Sequence, residues 1–84
     1  MKTIKELEAI EVPGTIHPRR RIVVLQRDDG LFTFAEEYFF VSKFDGKIIA
    51  EGWQRLPANG IHATAAIAES EGRAAFAIWH RLAD

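Results

Sequence analysis

Three histidines, two adjacent glutamates and one run of arginines are the residues here that could do chemistry. His17, His62 and His80 stand far apart, without an HxH or HxxxH pair and without a cysteine. A zinc site needs ligands at a workable spacing on one face, so no metal site is expected. Gly14, Gly30, Gly46, Gly52, Gly60 and Gly72 are dispersed and build no phosphate loop. Ser42 and Ser70 lack the flanks of a nucleophile elbow. No cofactor and no enzymatic activity are expected. Glu36 and Glu37 point to opposite faces if they lie on a strand, so they cannot act as a carboxylate pair. Glu71 sits within an apolar helical stripe, where burial would raise its pKa and suit it to acid–base work, with His62 or His80 as company in a cleft. An ion pair with Arg55, or snorkelling at a sheet edge, is the simpler account. Arg19, Arg20, Arg21 and Arg27 form the one basic cluster. Beside strand aromatics they could hold single-stranded nucleic acid by charge and stacking. Asp28, Asp29, Glu36 and Glu37 lie in the same hairpin, however, and the net charge is −1.

These residues need elements to position them. Eighty-four residues predict one domain, 1–84, with an arm over 1–18 and a core over 19–84. Hydrophobic content of 48% with 27% charged residues predicts a folded chain, and the absence of cysteine excludes disulfides. Thr3-Ile4-Lys5-Glu6 fits a capping box and predicts a short N-terminal helix, with an extended arm as the alternative. Ile22–Leu25 reads as a buried strand, 31–44 as a second and Ile48–Arg55 as a third, separated by Asp29-Gly30 and Asp45-Gly46 turns. From Thr64 to Leu82 the period is helical: Ile67, Ala68, Glu71, Ala74, Ala75, Ile78, Trp79 and Leu82 share a side. Glu69, Arg73, His80 and Asp84 lie opposite, and Phe76 falls among them. Gly72 costs about 1 kcal/mol inside a helix and so marks a close contact or a weak point. The expected fold is α+β: a three-stranded antiparallel meander packed by one long C-terminal helix.

One helix covers one face of such a sheet. Yet six of nine aromatic residues crowd into 31–44, on both faces of the second strand. A bulge near Glu36 and Glu37 would gather Phe32, Phe34, Phe39 and Val41 on the core side and leave Tyr38 and Phe40 outside. Adjacent Ile48 and Ile49 point to opposite faces of the third strand. Exposed apolar surface of this size marks an interaction site. Tyr38, Phe40, Trp53 and Phe76 are the expected anchors, and a homodimer is the expected partnership, because most soluble oligomers are two-fold. Ile4, Leu7 and Ile10 of the arm could cover the face instead, or another protein or a ligand could.

The order Asp29-Gly30, Asp45-Gly46, Trp53, Pro57-Ala58-Asn59-Gly60 and a helix from Ala63 resembles short uncharacterised bacterial proteins with a βββα core, loosely of the domain-of-unknown-function 1508 type. That resemblance implies the meander-and-helix layout and no activity. Glu6, Glu8 and Glu11 interrupt any signal-peptide core, and no apolar run nears the roughly 20 residues of a membrane span, so a cytoplasmic protein off the membrane is expected. The functional expectation is a small binding or assembly module that self-associates through an aromatic sheet face.

Overall fold

Half of the residues described by the computed structural model, 1–82, lie in six antiparallel strands of one curled sheet, a half-barrel, and one helix follows them. The strands are β1 (Lys2–Glu6), β2 (Ile10–Glu11), β3 (Arg19–Gln26), β4 (Phe32–Phe44), β5 (Lys47–Arg55) and β6 (Asn59–His62); helix α1 spans Ala65–Trp79. The expected three-stranded meander is therefore corrected, and of the two readings of the N-terminus, short helix or extended arm, residues Lys2–Glu6 are extended, as a strand. Asp84, expected on the polar side of the helix, lies outside the described residues.

The correction has two sources. A two-turn helix is marginal alone, while β3 offers a free edge to the same residues. The chain takes the edge: Lys2 pairs with Gln26, Glu6 with Val23, and the Leu7 N–H donates to the Ile22 carbonyl at 2.9 Å. Leu7 and Val12 thereby enter the core beside Ile22, Phe34 and Phe76. The second source is β4, whose thirteen residues outrun the eight of β3. Its first half pairs with β3 on one edge and β6 on the other, and its second half with β5. At the far end Asp45 (φ 52°) and Gly46 (φ 76°) both take positive φ, the two-residue turn whose twist suits a hairpin.

Register fixes the faces. From Gln26↔Phe32 to Arg20↔Tyr38 the β3–β4 ladder is unbroken, so no bulge interrupts Glu36 and Glu37. Ile22, Phe34 and Glu36 face α1; Val23, Leu25, Thr33, Ala35 and Glu37 face away from it. Val23 and Ala35 are nonetheless 0% exposed. With Leu25 they form a second buried cluster, on the face away from the helix.

Thr64 caps α1, its Oγ1 accepting from the Ile67 N–H at 3.1 Å. The buried track is Ala68, Gly72 and Phe76. A Cβ on Gly72 would stand 2.9 Å from Ile22 Cγ2 and 3.1 Å from Phe34 Cγ, so glycine is what lets the helix settle on the sheet. The expected helical face is kept only in part: Ala68 is buried and Ala75 half-buried, but Ile67, Glu71, Ala74 and Ile78 are exposed, and Phe76, expected as a surface anchor, is 3% exposed in the core. Among the described residues no helix is long and apolar enough to cross a membrane.

The radius of gyration, 14.2 Å, exceeds the about 12 Å typical of this length. Extents of 47 × 34 × 17 Å describe a flat, elongated body. The excess belongs to the β4–β5 hairpin where it runs past the end of β3.

Candidate functional site

Two charged residues anchor the base of that hairpin. Glu36 and Glu37 are 3% and 4% exposed, on opposite faces of β4. Adjacent Arg20 and Arg21 on β3 split between the same faces, so each carboxylate meets its own guanidinium. Arg20 Nη1 donates to Glu36 Oε2 at 2.7 Å, and His80 Nε2 lies 2.9 Å from both Glu36 oxygens. Across the sheet, Arg21 Nε and Arg55 Nε donate to Glu37 at 2.9 and 3.0 Å. Arg21 also reaches Glu6 and covers the Trp53 ring at 4.1 Å. Buried pairs of this kind contribute little net stability, but removing one partner is costly. They sit where β4 leaves the body, at the last pairs of the β3–β4 register.

This arrangement takes up the basic cluster. Arg20 and Arg21 neutralise buried glutamates, and Arg27 pairs with Asp29 at 3.0 Å. Arg19 remains exposed, 5.8 Å over Phe39. The four arginines expected to track a nucleic-acid backbone thus do not form a free basic surface.

The other candidates are dispersed. His80 bonds to Glu36 rather than to a nucleophile and packs 4.7 Å from Phe76. His62, at the end of β6, stacks 6.0 Å from Phe34, its Nε2 buried against Gly60 without a hydrogen bond. Glu71 stands exposed on the outer side of α1, and Arg55 pairs with Glu37 instead. The geometry does not bring Glu71, His62 and His80 together. Among the described residues no cluster of three or more His, Cys, Asp or Glu could hold a metal ion. A cavity of about 110 Å³ lies between the arm and α1, lined by Leu7, Ile10, Ile22, Phe76, Ala77 and Leu82, with the Glu8–Arg73 ion pair on its wall.

The expected anchors divide. Tyr38 and Phe40 are half-buried on the helix-side face, with Tyr38 stacked on His17 at 4.5 Å and under Arg20 at 5.6 Å. Trp53 is on the other face, edge-on to Phe39 at 5.3 Å. Beyond them every residue from Val41 to Ala50 is exposed. Val41 is 43% exposed, Phe44 68%, Ile48 56% and Ile49 65%. The register shifts here: Ser42 pairs with Ala50 but Lys43 with Ile48, leaving Ile49 as the extra residue of a bulge. The bulge brings Ile48 and Ile49 to one face, with Val41, Phe39 and Trp53, correcting the expectation that the two isoleucines diverge.

Sequence reasoning passed over Val41, Phe44, Ile48 and Ile49 as anchors. The signal that points to them is strand length. The run from Leu31 to the Asp45-Gly46 turn exceeds anything β3 can cover, so its end must project. No family model matches the chain, and neither a curated protein nor a solved structure matches it.

Proposed function

We propose that the protein is a small non-enzymatic assembly module that self-associates as a homodimer through the projecting β4–β5 ribbon. The observation that carries this reading is the wholly exposed stretch from Val41 to Ala50, with Val41, Ile48 and Ile49 on the face of the half-buried Phe39–Trp53 pair, beside Glu51 and Lys43. A two-stranded ribbon is marginal in water unless a face is covered. A second copy suits it because the ribbon's charges balance: Lys43 and Lys47 against Asp45 and Glu51, with no ion pair among them in the described residues. The bulge at Ile48 and Ile49 blunts the free edge of β5, which favours packing through the face over pairing through the edge.

The test is the mass in solution across a concentration series, by light scattering on a sizing column. Wild type is expected to dimerise, and Val41→Ser with Ile49→Ser to lose that dimer while circular dichroism stays unchanged. A wild type that remains monomeric at every concentration sinks the reading.

A further inference from the structure

We infer that the cavity between the arm and the end of α1 is a binding site for a small uncharged apolar molecule, about the size of a single aromatic ring. The site belongs to the body of the protein and does not rest on the ribbon, so either reading can fail alone.

Both walls of the cavity follow from the chain. Glu6 pairs with Val23 and Ile10 with Arg20. Leu7, Glu8 and Ala9 therefore span the place of Arg21 and Ile22 alone, one residue too many to lie flat along β3. Leu7 and Ile10 line the arm's side of the cavity together with Ile22 of β3, and Phe76 and Ala77 line the helix side. Beyond the helix the Arg81 N–H donates to the Ile78 carbonyl at 3.3 Å and the Leu82 N–H to the Ala77 carbonyl at 2.8 Å. Turns with this bonding usually place glycine where Arg81 stands, with a φ of 54°. A side chain held at that φ costs free energy, and such positions gather at functional sites. What the turn achieves here is to fold Leu82 back beside Ala77, onto the rim of the cavity.

The lining selects the occupant. The cavity holds about 110 Å³. A buried water needs roughly two to four polar partners, whereas an engineered apolar cavity of about 150 Å³ in another protein stays dry and takes benzene. The charged groups on the wall, Glu8 and Arg73, lie 2.6 Å apart, and Arg73 also binds Glu69. They neutralise each other and offer an ionised ligand no free partner. A charged molecule would lose its water without compensation, so the occupant is neutral.

The test is a benzene titration followed by methyl NMR, with benzoate as the charged counterpart. Saturable shifts are expected at the methyls of Leu7, Ile10, Ile22 and Leu82, and not at Val41, Ile49 or Ile78, which stand exposed. Benzoate should bind at least about tenfold more weakly. Ala77→Leu fills the cavity and should abolish the shifts. Leu82→Ala, which adds no bulk, should weaken binding about tenfold. Absence of saturable shifts up to the solubility limit of benzene overturns the site. Shifts spread equally over the exposed methyls do the same, since they mark benzene on bare surface. Full binding in a folded Ala77→Leu variant would place the ring elsewhere and overturn the site as well. Should Ala77→Leu not fold, unchanged affinity in Leu82→Ala overturns it instead. Benzoate binding as tightly as benzene would overturn the neutral class of ligand.

Discussion

Glu37 and Val41 lie four residues apart on one face of one strand, yet the glutamate is 4% exposed and the valine 43%. Strand β4 is thus two regions of inverted character. Its charged half is buried and its apolar end stands in water. The difference comes from neighbours, not from side-chain type. Glu36 and Glu37 sit where β4 has a strand on each edge and cations from β3 within reach. Beyond Phe40 only β5 accompanies it. Burial in the body follows from topology, and the ribbon's apolar surface is what topology leaves over.

That contrast breaks most readily at the arginines. Arg20→Met leaves Glu36 buried with His80 as its remaining partner, and should cost about 3–5 kcal/mol. Urea unfolding measures it. Replacing both partners, Arg20→Met with Glu36→Leu, should recover most of the loss, because an apolar pair of similar volume has no charge to strand. A single-variant loss below about 1 kcal/mol would show that Glu36 does not depend on Arg20.

Gly72→Leu comes next. Its side chain would enter the space held by Ile22 and Phe34, where even a Cβ stands at 2.9 Å. Overpacking of this kind costs about 1–3 kcal/mol. Ala66→Leu, on the exposed side of α1, should stay within about 0.5 kcal/mol by the same denaturation measurement. Equal effects at the two positions would mean that the helix does not approach the sheet along Gly72.

These two sites also show what the sequence discloses. The run from β3 to β5 is legible because alternation and the Asp29-Gly30 and Asp45-Gly46 turns are local signals. The glutamates look like a defect in β4 because the arginines that neutralise them sit sixteen residues away on another strand. Lys2–Glu6 reads equally as a capped helix or an extended arm, since its strand exists only against the edge of β3. Asn59–His62 reads as a break for the same reason, needing the first half of β4 as a partner. A periodicity count weighs bulk and so selects Ile67 and Ile78 for the core. The physical selection is closeness of approach, and Gly72 carries that. The ribbon surface is partly legible, as aromatic excess in 31–44, but the bulge that aligns Ile48 with Ile49 is a property of the paired strands.

A smaller effect joins the arm to the helix. Lys5 donates to Glu69 at 2.8 Å, and Arg73 bridges Glu69 and Glu8. The hydrogen bond from Arg73 holds Glu8 below the usual carboxylate range, and the one from Lys5, with Arg73 assisting, does the same for Glu69. Folded-state values lowered in this way stabilise the fold above the ordinary carboxylate range, and the contribution is lost as pH falls through the folded values. Glu69→Gln should therefore lower Tm slightly at neutral pH, less at high salt, and not at all in acid where both carboxylates are protonated. A Tm difference that persists in acid would mean that Glu69 acts by packing and not by charge.

The smallest effect on the monomer is expected where the most apolar surface is exposed. Val41→Ser and Ile49→Ser remove side chains that already meet water, so at low protein concentration each should change unfolding free energy by less than about 0.5 kcal/mol. Concentration then separates a bare ribbon from a docking one. Association stabilises the folded state by mass action, so wild-type Tm should rise with protein concentration. The ribbon variants should lose most of that rise while matching wild type in dilute solution. Were the variants instead less stable in dilute solution, Val41 and Ile49 would be packing within their own chain. The ribbon would then belong to the body, and the two halves of β4 would differ in exposure but not in role.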